Sequence, residues 1–286
     1  MKKATLIVIL GVLTCAQASA ESSVWKAQKD NSVIYLGGTC HILREADYPL
    51  PPEFDKAYKA SDTLVCETDL GVLQEPATAQ KIMAKAVYAD GTTVDKHLSA
   101  QAYEALSAYC KSNGVPLAAM KQFKPSMILL ALASRELMKL GVTQKGVDLF
   151  FYKQAATDKK PVEGLEKVDE QIDFIVSMGD GNEDDFVTQS ISDMKNTKDQ
   201  FEILVDAWRK GDGGRLSDLM VAEVKTKAPK IYRQLITDRN LKWLSSIDAY
   251  QKTPSTEFVL VGVAHLVGPD GIIEALRKKG YKVDKL

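Results

Sequence analysis

Two segments near opposite ends of this chain carry the same local pattern: an apolar, β-rich run, a glycine, two residues and a histidine. Val33-Ile34-Tyr35-Leu36-Gly37-Gly38-Thr39-Cys40-His41 is the first, and Phe258-Val259-Leu260-Val261-Gly262-Val263-Ala264-His265 is the second. Short apolar runs of this kind read as buried strands. Glycine lets a strand bend or lets a ligand approach its backbone, so the histidine that follows is presented beyond the strand end. In open α/β sheets ligands sit at the carboxyl ends of strands. The repeat therefore predicts one sheet to which both ends of the chain contribute. The chain has only three histidines, so two in matching positions form the main functional signal. His97, in Val94-Asp95-Lys96-His97, lacks that context and reads as a surface residue.

The rest of the pattern fits around this frame. Ser23 to Lys29 and Val33 to Gly38, separated by Asp30-Asn31-Ser32, read as a hairpin. After the proline-rich Tyr48 to Pro52, Glu53 to Ala60 reads as a helix and Thr63 to Glu67 as a short buried strand, most simply paired in parallel with the strand before it. From about Thr78 to Lys227 the apolar spacing is helical, broken by Gly- and Asp-rich turns. Pro229 suits the first turn of a long helix to about Ala249, with Ile231, Leu235, Ile236, Trp243, Leu244 and Ile247 on its apolar side. Glu257 to Ala264 then returns to strand, Ile272 to Lys279 to helix and Tyr281 to Val283 to strand. The expected fold is α/β: a mixed central β-sheet built from N- and C-terminal segments with a large helical insertion, a lobe over about residues 78–250 of a single domain spanning 21–286.

Lys2 and Lys3 precede an apolar run from Ala4 to Leu13, and Ala18-Ser19-Ala20 follows as a small-residue cleavage signature. Residues 1–20 read as a signal peptide cut before Glu21, which implies export to the periplasm. No later stretch has 18 consecutive apolar residues, so no integral membrane segment is expected after cleavage. With 37 Lys plus Arg against 38 Asp plus Glu, the charge balance argues against nucleic acid as the main ligand. Cys40, Cys66 and Cys110 remain after cleavage. A Cys40–Cys66 disulfide and three buried apolar thiols are the two alternatives, the second being preferred.

A third strand, Thr63 to Cys66, ends in Glu67, with Asp69 two residues on. Two histidines and a carboxylate at one sheet edge make a divalent-metal set, His41, His265 and Glu67. Asp180-Gly181-Asn182-Glu183-Asp184-Asp185 begins like a calcium loop but has Asp185 where glycine is needed and Ile191 where the bidentate glutamate belongs, so it reads as a solvated acidic turn. No serine-hydrolase elbow, phosphate-binding loop, dinucleotide fingerprint, HExxH pair or Cys-x-x-Cys pair is present.

Gly38-Thr39-Cys40-His41, the Glu of Leu64-Val65-Cys66-Glu67, Arg239-Asn240 and Gly262-Val263-Ala264-His265 together resemble the TraB/GumN family, which includes the Tiki proteases. Lys124-Pro125, Gly146-Val147-Asp148, Lys160-Pro161-Val162, Leu165-Glu166 and Gln171 fit the same resemblance. It implies a fold related to erythromycin-esterase and ChaN-like proteins and, from the Tiki branch, metal-dependent hydrolysis of peptide bonds favouring Mn or Co. His41, His265, Glu67 and Arg239 match the family's two histidines, acid and arginine; read from their own chemistry, His41 and His265 would be metal ligands, Glu67 a third ligand or the base acting on a metal-bound water, and Arg239 a catalytic group that binds a substrate carboxylate or an oxyanion. Cys40 could add a soft ligand and favour zinc. The expected activity is hydrolysis of a peptide or small-molecule substrate. The alternative is a non-catalytic periplasmic protein that sequesters a peptide, a haem-like cofactor or a metal.

Overall fold

The computed structural model describes residues 22–286; the expected signal segment, 1–20, lies outside the described residues. Six strands form the central sheet: β1 (Val24–Lys29), β2 (Ser32–Thr39), β4 (Thr63–Cys66), β6 (Val162–Gly164), β7 (Glu257–Gly262) and β8 (Lys282–Lys285). Their order is β6-β4-β7-β2-β1-β8. The run from β6 to β2 is parallel, whereas β1 is antiparallel to both β2 and β8. A separate pair joins β3 (Leu43–Arg44) to β5 (Val142–Thr143).

The expected class stands: both ends of the chain build the sheet and the middle is helical. Three details differ. β2 and β4 run in parallel but are not neighbours, because β7 enters between them and pairs with each. β6, like the short β5, belongs to the mostly helical middle, and its three residues after Lys160-Pro161 are too few to show an alternating pattern. β7 stops at Gly262, and Val263–Leu266 form a short helix that carries His265.

The inner parallel strands β4 and β7 are buried on both faces, as their unbroken apolar runs require, while the edge strand β6 is largely exposed. Phe258 of β7 meets Phe151 at 5.8 Å and Phe54 at 6.5 Å between ring centroids, and Trp208 lies 5.7 Å from Phe54. These rings come from the helices Pro52–Lys59, Val147–Asp158 and Thr197–Arg209. The Trp208 indole N–H donates to Gly38 O at 2.7 Å, which ties this layer to the first Gly-x-x-His end. Part of the helical middle has a core of its own, with Leu106, Ile128, Leu132 and Val187 at its centre, while Phe151, Trp208 and Trp243 join the core around the sheet.

The late helix starts at Pro229, after Ala228 leaves helical geometry as a residue before proline tends to. It is not one regular helix: Pro229–Tyr232 is followed by a π turn over Arg233–Thr237 and then by Asp238–Ala249. π turns re-aim the residues around them and recur at functional sites. Here Arg239 and Asn240 follow immediately. Among the described residues no helix is long and apolar enough to cross a membrane.

Candidate active site

His41, Glu67 and His265 follow the C-terminal ends of β2, β4 and β7, three adjacent parallel strands, so they meet at one sheet edge. The glycines explain how closely. Neither Gly38 nor Gly262 has the positive φ that favours glycine; each makes room for the other motif. A Cβ on Gly38 would lie 2.6 Å from Val263 Cγ2. A Cβ on Gly262 would lie 3.2 Å from Glu67 Oε1, 3.3 Å from His41 Nε2 and 3.6 Å from His265 Cδ2. The three expected ligands thus surround the α-carbon of Gly262.

Each imidazole is held from behind by its Nδ1. The Asp148 carboxylate lies 3.0 Å from His41 Nδ1. Asp148 is placed there because the Val147 N–H donates to Cys40 O and because Gly146 packs on the His41 backbone, where a Cβ would fall 2.2 Å from His41 O. For His265 the holder is Asn240, whose side-chain N–H groups donate to the carbonyls of His265 and Asp270 at 3.1 and 2.9 Å. Its Oδ1 is therefore the atom 2.7 Å from His265 Nδ1, which must carry the proton. The Nε2 lone pair of His265 is left facing the cluster. A hydrogen-bond partner behind the ring in this way orients metal-binding and catalytic histidines alike.

Glu67 is buried and fully engaged. Oε1 accepts from the Gly262 N–H at 2.7 Å and lies 3.7 Å from His41 Nε2; Oε2 accepts from Arg239 at 2.6 Å and from Gln171 at 3.5 Å. Arg239 also holds Glu166 at two points, 3.1 and 2.7 Å, and donates to His265 Nε2 at 3.1 Å. Its guanidinium lies over the Trp243 ring at 4.5 Å. Burial works to raise the Glu67 carboxyl, yet His41, Arg239 and the Gly262 amide outweigh it and hold it down at about 2. Glu166, more dependent on one partner, is raised by burial despite Arg239.

The two histidines diverge. Desolvation by the surrounding chain opposes charge on His41, but the Asp148 hydrogen bond and the Glu67 carboxylate prevail and raise it to about 9, although the side chain is 54% exposed. Burial, opposed by the Glu67 carboxylate and reinforced by Arg239, lowers His265 to about 3 and keeps it neutral.

Of the other expected participants, Asp69 caps the helix Leu70–Leu73 and does not join the cluster. Cys40, Cys66 and Cys110 are buried free thiols, so the Cys40–Cys66 bridge does not form. Burial pushes the Cys40 thiol up, away from the thiolate a metal would need. His97 is exposed and stacks on Tyr88 at 3.7 Å between ring centroids. The acidic turn after Asp180 precedes the helix Glu183–Met194 and places three carboxylates in its first turn. Asp148, Asn240 and Glu166 had no assigned role in the sequence; their only signal was the Gly-Val-Asp, Arg-Asn and Leu-Glu segments that fit the family resemblance.

Beside the cluster lies a cleft of about 710 Å³ lined by Glu166, Arg239, Phe174, Gln234, Lys124 and Lys242 among others. Arg239 and Glu166 line this cleft, and Arg239 also reaches His265.

Among the described residues no group of three or more His, Cys, Asp or Glu side chains is already drawn together as a metal cage. The donor chemistry nevertheless fits a divalent ion: two imidazoles anchored at Nδ1 and a carboxylate converge where Gly262 has no side chain. Asp148 Oδ1, behind His41, is buried without a protein partner, so polar capacity remains there.

No curated protein and no solved structure matches the chain. The model of the TraB/PrgY/gumN family matches residues 23–285, which takes in every strand and every residue of the cluster, and the chain belongs to that family.

Proposed function

We propose that this chain is an exported, metal-dependent hydrolase that cleaves a peptide or another amide in the periplasm, with residues 1–20 acting as the signal that sends it there. The observation that carries this reading is the convergence of two Nδ1-anchored histidines on one carboxylate. His41, His265 and Glu67 would hold a divalent ion such as Mn, Co or Zn, which when bound supplies Lewis acidity and a water of lowered pKa. Glu67, held near 2, takes up protons poorly and suits the ligand role better than that of base. Asp148 and Asn240 keep the imidazole rings in register. Arg239, always charged, presents a guanidinium at the cleft wall, where it can bind a substrate carboxylate or steady an oxyanion. The cleft has room for a short segment of peptide.

The test is turnover of a peptide library by metal-loaded protein, compared with Glu67→Gln. Turnover that falls about 10²-fold or more in the variant, with circular dichroism unchanged, supports the reading. Equal turnover by the variant contradicts it. The second reading, a non-catalytic protein that sequesters a peptide, a haem-like cofactor or a metal, draws support from one observation: both Glu67 oxygens and His265 Nε2 already have partners. Saturable binding without turnover would favour it.

A further inference from the structure

Arg239 stands among the donors of the cluster. One terminal nitrogen donates to His265 Nε2 at 3.1 Å, and the other to Glu67 Oε2 at 2.6 Å. A single imidazole lone pair cannot serve a guanidinium N–H and a metal ion together. The cation therefore competes with any ion that would use His265 and Glu67. Arg239 also lines the cleft, Glu166 grips the same guanidinium at 3.1 and 2.7 Å, and Trp243 packs beneath it. Withdrawal from Glu67 and His265 would leave Arg239 still paired, and an incoming ion would neutralise Glu67 in its place. Neither state strands a buried charge, the arrangement that is most destabilising.

Resting on the metal reading of the preceding subsection, we propose that Arg239 is a resident cation that a divalent ion must displace, and that Glu166 is the carboxylate that retains the displaced guanidinium on the cleft wall. Glu166 is thereby a positioning residue. Loading the site and turning Arg239 toward a substrate in the cleft become one event.

The experiment is calorimetric titration of the whole chain with Mn²⁺ and with Zn²⁺, using wild type, Arg239→Met and Glu166→Gln. Lys242→Met and Glu170→Gln serve as charge controls, since this pair also borders the cleft but does not touch the cluster. Arg239→Met is expected to bind about tenfold more tightly than wild type, its competitor gone. Glu166→Gln is expected to bind about tenfold more weakly, because Arg239 loses its alternative partner. Both controls should stay near wild type. Wild-type binding with unchanged affinity in both variants, or with equal shifts in the controls, overturns this proposal and leaves the metal reading intact. Absence of binding in wild type and in every variant overturns both. Should Arg239→Met fail to fold, Glu166→Gln against Glu170→Gln decides alone, and equal affinities would overturn the proposal.

Discussion

The two Gly-x-x-His ends share a local sequence and a place on neighbouring strands, yet they hold their histidines in opposite states. After β2, His41 sits in a loop, half open to solvent, with the charged Asp148 behind it, and is raised to about 9. After β7, His265 sits in a short helix, 4% exposed, with the neutral Asn240 behind it and Arg239 in front, and is lowered to about 3. The motif decides where the ring goes; the partner at Nδ1 and the access to water decide its charge. The glycines differ in the same way. Gly38 makes room for the rigid, branched Val263, while Gly262 makes room for the ends of the functional side chains themselves.

The largest effect that separates the two ends should come from Arg239, which hydrogen-bonds the ring of His265 but not that of His41. In metal-free protein Arg239→Met leaves Glu67 and Glu166 buried without their shared cation, and should lower stability by about 3–5 kcal/mol in urea unfolding. Gly38→Ala comes next: a methyl 2.6 Å from Val263 forces the strand ends apart and should remove about 1–3 kcal/mol. Gly262→Ala, which meets only side-chain ends at 3.2 Å or more, should remove less and disturb the cluster instead. The anchors should then divide the ends again. Asn240→Ala leaves the buried His265 Nδ1 unpaired and should lower stability by about 1–3 kcal/mol, whereas Asp148→Asn should bring His41 down toward 6.5, read from imidazole proton shifts by NMR, and cost only the pH-dependent stability tied to that shift, which is gone above about 9. A stability loss for Asp148→Asn that persists undiminished above pH 9 would break the contrast.

The pH dependence of the metal-free protein supplies the finest distinction. His41 is raised in the fold, so its contribution is fully present below about 6.5 and fades as pH rises through about 9. His265 is lowered, so the fold gives up stability as pH falls from about 6.5 toward 3 while the unfolded chain takes up the proton. Urea midpoints across pH should therefore show the gap between wild type and His41→Gln closing above 9. The acid-side decline should weaken in His265→Gln. A gap for His41→Gln that widens above pH 9 would contradict the assignment.

The sheet and its three strand-end residues were legible because each depends on local pattern: an apolar run, a glycine, a polar residue at fixed spacing. β6 and the π turn were not, since three residues show no period and a π turn leaves the apolar spacing of a helix nearly intact. Asp148, Asn240 and Glu166 act on partners far along the chain, and nothing in their own surroundings distinguishes them from other surface-type residues. The same holds for Arg239. Its place in the late helix was visible, but its commitment to Glu67, Glu166 and His265 at once follows from the packing of β6, β7 and the π turn around it. β7 entering between β2 and β4 also depends on distant pairing, which a local reading cannot order.

The central claim, that two matched histidines and Glu67 form one metal site, is tested most directly by elemental mass spectrometry of protein purified without chelator, beside a His41→Ala/His265→Ala double variant. The account predicts about one Mn, Co or Zn per wild-type chain and none in the variant at equal helical content. Equal metal in both proteins, or none in either after reloading with each ion, would contradict it.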